Sequence, residues 1–155
     1  MRKVEQREIV VGIDEFRKAT CPDVLKSGGL GPCIAIGVYN PSDRSGYMLH
    51  EADPQTTNYL MEFLRTIEAD YGGMDGLRVR VGGNSLSNAD TIDRSLREYQ
   101  KCNRIYVKNT LLNYFERRRI IFRRAPDDNN CELVLDLQKG SFDYDSVLDY
   151  KMSLR

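Results

Sequence analysis

The chain has 155 residues, and its 23 Lys and Arg are balanced by 23 Asp and Glu for a formal net charge of zero. That length suits one domain spanning residues 1–155, and the charge balance removes the electrostatic case for nucleic acid or an anionic membrane as main partner. Hydrophobic residues make up 41% and charged residues 30%, which excludes a disordered or membrane-embedded composition.

The first residues, Met1 to Glu8, are charged and lead into no long apolar run, so neither a secretory signal nor a bilayer span is expected. The expected location is cytoplasmic, where thiols stay reduced. Glu8 to Ile13 is a short apolar run with branched residues and predicts a strand. Asp14 to Lys26 reads as a connection. The glycine-rich segment Ser27-Gly28-Gly29-Leu30-Gly31-Pro32-Cys33 then runs into Ile34-Ala35-Ile36-Gly37-Val38-Tyr39. A period of two puts Ile34, Ile36 and Val38 on one face of that strand. Cys33, Ala35, Gly37 and Tyr39 share the other, a mostly small face with room for something to lie over it.

Residues 40–46 form a turn by composition, and Tyr47 to His50 returns as the second strand of a hairpin. Asp53-Pro54 has the chemistry of a helix start, and Leu60, Phe63, Leu64 and Ile67 follow at helical spacing before Gly72-Gly73 stops the helix. Leu77 to Val81 alternates as a strand that Gly82-Gly83-Asn84-Ser85 breaks. Ile92, Leu96 and Tyr99 suggest a second helix, and Val107, Leu111 and Phe115 a third over about 104–118. Ile120 to Phe122 and Cys131 to Leu137 read as strands joined through Pro126 to Asn130, with a last strand near Phe142. Hairpins mixed with about three helices predict an α+β fold with packed mixed or antiparallel β-sheets.

Four cysteines at 21, 33, 102 and 131 show no metal-ligand spacing, and one histidine cannot complete a mixed zinc set, so no metal or cofactor is expected. Cys102 and Cys131 read as ordinary small residues, and Cys21 carries no chemical signal. The basic run Arg117, Arg118, Arg119, Arg123 and Arg124 has no aromatic stacking platform beside it and reads as a solvated face. Gly28-Gly29-Leu30-Gly31 lacks the Lys-Ser/Thr of a P-loop, and a strand follows it where a phosphate cradle needs a helix.

Cys33 and His50 are the pair with chemical content. If the turn spans about residues 40–45, Tyr39 faces Gly46, Ala35 faces His50, and Cys33 becomes a diagonal cross-strand neighbour of His50, about 7–8 Å away at the backbone. A one-residue slip would turn His50 to the other face. An imidazole beside a thiol assists nucleophilic attack, and the glycines allow backbone amides to approach a developing oxyanion. Ser27, Asp43 and Glu51 are the three candidates for the group that orients the imidazole.

Gly29-Leu30-Gly31-Pro32-Cys33-Ile34-Ala35-Ile36, with Gly46-Tyr47-Met48-Leu49-His50 after it, resembles the CheD family of chemoreceptor glutamine deamidases. The resemblance implies Cys33 as nucleophile, His50 as general acid and base, and Ser27, at the position of a family threonine, as the orienting hydroxyl. It also implies Gly29, Gly31, Gly82 and Gly83 as the substrate and oxyanion loops. The implied fold is related to the catalytic domain of cytotoxic necrotizing factor toxins. The implied partners are the cytoplasmic domain of a chemoreceptor, as substrate, and a CheC-type phosphatase. The chain departs from the family pattern at Pro32, which replaces a serine, and after His50, where Glu51-Ala52-Asp53-Pro54 replaces a Met-Leu-Pro-like segment. Two other readings stay open: a CheD-like binding or regulatory module with little or no catalysis, and a divergent deamidase of another protein.

Overall fold

The computed structural model describes residues 4–86, 94–123 and 130–145. The described residues make nine strands and two α-helices in the order β1 (Glu8–Val10), β2 (Glu15–Thr20), β3 (Val24–Ser27), β4 (Ile34–Asn40), β5 (Ser45–Glu51), α1 (Tyr59–Tyr71), β6 (Arg78–Gly83), α2 (Arg94–Leu112), β7 (Ile120–Phe122), β8 (Glu132–Asp136) and β9 (Ser141–Asp145). The strands form two mixed sheets, ordered β1-β3-β8-β9 and β2-β5-β4-β6-β7.

The five-stranded sheet is apolar on both faces, and each face has its own core. Ile34, Ile36 and Val38 of β4 join Phe63, Leu64 and Ile67 of α1 and Val107 and Leu111 of α2. Ala35 and Tyr39, on the opposite face, join Leu25, Leu133 and Leu135 of the second sheet. This is the two-fold alternation of a strand used twice. The room left by the small face is occupied by the second sheet. A Cβ on Gly37 would lie 2.5 Å from the Phe142 ring, and one on Gly82 would lie 2.3 Å from the Tyr144 ring. A Cβ on Gly46 would lie 2.6 Å from Leu135.

Several expectations are corrected. Residues 14–26 hold two strands, β2 and β3, where a connection was expected. As an edge strand β2 buries only Ala19, so its sequence carries no hydrophobic alternation. Asp53-Pro54 makes a turn, closed by Thr56 N–H on the Asp53 carbonyl at 3.2 Å, and α1 starts later, at Tyr59. The expected second and third helices are one, because no Gly or Pro separates Tyr99 from Arg104. Two α-helices therefore stand among the described residues where about three were expected. The helix α2 ends at Leu112, short of Arg118, and Arg117–Arg119 form a short 3-10 turn. Strand β6 also runs through Gly82 and Gly83 and breaks only at Asn84, whose φ is 54°. Ile92, Arg124 and the Pro126 to Asn129 connection lie outside the described residues.

The expectations for the core face of α1 and for the basic run fit. Leu60, Phe63, Leu64 and Ile67 are the buried residues of α1, and Gly72, at φ 69°, caps it in the left-handed conformation that glycine adopts without cost. Arg118 pairs with Glu116 on a largely exposed side chain, as a solvated face requires.

Phe63 carries much of the helix-side core: it is fully buried and meets the rings of Phe16 and Tyr47 edge-on at 5.6 and 6.4 Å. Phe63→Ala is expected to cost about 3–5 kcal/mol, read from the midpoint of urea unfolding at unchanged slope.

Candidate active site

The β4–β5 hairpin has the register that brings the pair together. Tyr39 is opposite Gly46 and Ala35 is opposite His50, so Cys33, two residues before Ala35, is the diagonal neighbour of His50. On its other side β5 pairs with β2, placing Glu15 opposite His50, and Asp14 N–H donates to the His50 carbonyl at 2.7 Å. The histidine backbone is thus held from both sides in the centre of a sheet.

The orienting group comes from the other sheet. Ser27 ends β3, and its Oγ lies 2.8 Å from His50 Nδ1 and 3.2 Å from the carbonyl oxygen of Val11. A carbonyl only accepts, so one proton arrangement satisfies all three atoms. The Ser27 hydroxyl donates to Val11, and Nδ1–H donates to Ser27 Oγ. Nε2 then carries the lone pair, and it is buried without a hydrogen-bond partner, the Cys33 thiol included. Of the two rivals, Asp43 accepts from the N–H and hydroxyl of Ser45. Glu51 accepts from Asp53 N–H and Thr57 Oγ1. Neither reaches the imidazole.

The loop before Cys33 is tied down at several points. Leu30 exchanges backbone hydrogen bonds with Cys131, and Gly31 N–H donates to the Gly29 carbonyl at 3.0 Å. The Gly31 carbonyl receives Ser85 N–H, and the Cys33 carbonyl receives Asn84 N–H at 2.8 Å. Gly29 is left-handed, at φ 65°. Gly83 is confined to glycine twice over, by a φ of 85° and by the Cys33 carbonyl, which would stand 2.3 Å from an added Cβ. Gly82 lies under Tyr144, whose hydroxyl accepts from Gly83 N–H. All four sequence-predicted glycines therefore border the Cys33 segment or the strand beside it. Gly31 N–H, already engaged, is not free for an oxyanion.

Electrostatics set the resting charge state. Burial pushes the Cys33 thiol up, and the charges of Asp14 and Glu51 push it further, against a smaller opposing effect of its own backbone amide. Burial holds His50 below its ordinary range, opposed by the Val11 carbonyl, Asp14 and Glu15. Thiol and imidazole are therefore both neutral at rest. A sequence reading that sees the imidazole beside the thiol misses the burial and the two acids that push the thiol up. It also misses Val11, which contributes only a carbonyl, and Asn84, which holds the Cys33 carbonyl from outside the motif and is itself held by Arg104. All four cysteines are free, with Cys131 buried in the inter-sheet core and Cys102 exposed. Among the described residues no three His, Cys, Asp or Glu side chains cluster as metal ligands. No helix there is long and apolar enough to cross a membrane.

Because alkylation follows the thiolate, the rate of Cys33 alkylation by iodoacetamide is expected to rise with pH through a midpoint above the ordinary thiol value of 9.0. Asp14→Asn, which removes the larger of the two carboxylate effects and keeps a residue suited to the φ of 60° at that position, should move that midpoint down.

No family model matches the chain. Curated relatives do. A protein of Archaeoglobus fulgidus described as a probable chemoreceptor glutamine deamidase CheD is 49% identical over 51 residues, 33% of this chain and 32% of the relative. Relatives with the same description from Desulforamulus reducens and Moorella thermoacetica are 36% identical over 52 residues and 28% identical over 79 residues. These stretches cover 34% and 51% of this chain, and 31% and 47% of the respective relatives. The chain thus spans about a third to a half of the length of the curated relatives it matches. Over these stretches the chain is similar to proteins described as probable chemoreceptor glutamine deamidases of the CheD family.

Proposed function

We propose that the chain is a cysteine-dependent protein-glutamine deamidase acting on the cytoplasmic domain of chemoreceptors, with Cys33, His50 and Ser27 as its catalytic residues. The observation that carries this reading is the Ser27–His50 contact of 2.8 Å between two sheets, with the Val11 carbonyl behind it. It fixes the tautomer that a general base needs, and the hairpin register sets the thiol on the same face. The description of the CheD relatives supplies the substrate class. The two-sheet packing is compatible with the toxin-type catalytic fold that the family resemblance implies. A CheC-type phosphatase is the proposed regulatory partner.

Both groups are neutral at rest, so the thiol gives up its proton as it reacts. Cys33 turns to His50 Nε2, which takes the thiol proton as sulfur attacks the glutamine amide carbon. The C–S bond forms and the carbonyl electron pair moves to oxygen. The imidazolium, its Nδ1–H held by Ser27, then gives a proton to the leaving nitrogen. The C–N bond breaks and ammonia departs. Neutral His50 takes a proton from water, which attacks the thioester, and glutamate and the thiol are released. The Asp14 and Glu15 charges favour the imidazolium formed on the way, offsetting part of the burial cost.

Incubation with a chemoreceptor cytoplasmic fragment, followed by peptide mass mapping, should convert particular glutamines to glutamates. Cys33→Ala should abolish conversion without altering the unfolding midpoint by more than about 1 kcal/mol. His50→Ala should lower turnover by about 10²–10⁴-fold. Conversion by the Cys33→Ala protein would sink the mechanism, and no conversion by the native chain would sink the substrate assignment.

A further inference from the structure

Acyl transfer needs donors for the oxygen that becomes negative, and such sites ordinarily supply two. The three positions before Cys33 supply none. Pro32 has no N–H, Gly31 N–H donates to the Gly29 carbonyl, and Leu30 N–H donates to the Cys131 carbonyl at 3.0 Å. The Cys33 N–H, beside its own thiol, is the donor that the nucleophile segment offers.

Asn84 stands next to that segment. Its N–H donates to the Cys33 carbonyl at 2.8 Å, and its left-handed backbone follows Gly83 directly across from the nucleophile. Its side chain is fixed in one sense. Arg104, on α2, donates through Nε to Asn84 Oδ1 and through Nη2 to the Asn84 carbonyl at 2.9 Å. A guanidinium can only donate, so the amide cannot flip, and its NH₂ is turned away from Arg104. That Nδ2 has no hydrogen-bond partner and, like His50 Nε2, is shut off from solvent on a residue only 5% exposed. A buried amide donor left unpaired costs about 1–3 kcal/mol. The chain keeps one on the residue whose N–H holds the Cys33 carbonyl, and orients it with a second residue.

We propose that Asn84 Nδ2 is the second oxyanion donor of the site and that Arg104 is the residue that positions it. The proposal rests on Cys33 acting as the nucleophile of acyl transfer. As the Cys33 sulfur bonds to the carbonyl carbon and the π pair moves to oxygen, Asn84 Nδ2–H and Cys33 N–H hold the charge. The pair returns as the leaving group departs, and neither donor loses its proton.

Two reagents separate this role from simple support of the loop. Iodoacetamide alkylates a thiol by direct displacement at carbon, with no oxyanion. p-Nitrophenyl acetate acylates it through a tetrahedral oxyanion and releases p-nitrophenolate. Asn84→Gly keeps the left-handed backbone and removes the amide. It should slow acylation of Cys33 by at least about tenfold and leave alkylation within about twofold. Arg104→Met, which frees the amide to turn, should change the same ratio in the same direction by less, and it carries the test if the glycine variant fails to fold. Acylation unchanged within about twofold overturns the proposal. So does an equal fall in both reactions, which would make Asn84 a support of the loop only. Neither reagent depends on the protein substrate, so a native chain that leaves receptor glutamines intact but shows this ratio would lose its proposed substrate and keep its oxyanion donor.

Discussion

Everything at the site depends on the register of one hairpin. With Tyr39 opposite Gly46, each residue of β5 is assigned a face, and His50 falls on the face shared with Ala35 and the second sheet. The turn enforces that register by local chemistry. Asn40 Oδ1 accepts from Ser42 N–H, Asp43 accepts from Ser45, and Arg44 adopts a φ of 57°. Packing enforces it again, because a side chain at position 46 would strike Leu135 and the Val38 carbonyl. A slip by one residue would put the imidazole among Phe63 and Leu64 and a tyrosine against the second sheet. Such a strand could not be buried on both faces.

Burial of the strand then decides the charges. All seven residues of β5 are buried, so the imidazole and the Glu51 carboxyl both lie in surroundings that disfavour charge. Burial moves His50 down and Glu51 up, the latter against hydrogen bonds from Thr57 and the Asp53 amide. The opposite directions share one cause: each group shifts toward its neutral form. A thiol beside them is protected from chance oxidation, which requires thiolate, until something draws its proton away.

Much of this was legible from residue order alone. The hairpin could be read because Ile34, Ile36 and Val38 alternate with small residues and the 40–46 segment is rich in turn formers. Helix α1 could be read because its four buried residues keep a helical period. Strand β2 could not, since an edge strand with one buried residue leaves no alternation to find. The merged helix α2 was divided because Leu96 and Tyr99 are 46% and 39% exposed, so its first half lacks the stripe carried by Val107 and Leu111. Within the site, side-chain chemistry was legible and backbone chemistry was not. Ser27 could be named from a motif, whereas the Val11 carbonyl behind it bears no mark in the sequence. Asn84 did carry a mark, an asparagine after two glycines where a left-handed residue fits, but its meaning depends on an arginine twenty positions away on a helix.

The Ser27–His50 hydrogen bond joins side chains from two sheets whose contact is mostly apolar, with the Tyr144 hydroxyl on Gly83 N–H as a second polar link. The gap between those sheets is therefore part of the geometry that the proposed reaction would use. Gly37, Gly46 and Gly82 set its width by admitting Phe142, Leu135 and Tyr144. Sheets held together by side-chain packing can separate slightly with little loss of secondary structure, and a separation too small to unfold the chain would be enough to part a 2.8 Å contact. The imidazole thus works as a feeler gauge for the fit of the two layers: its tautomer stays defined only while they are fully seated.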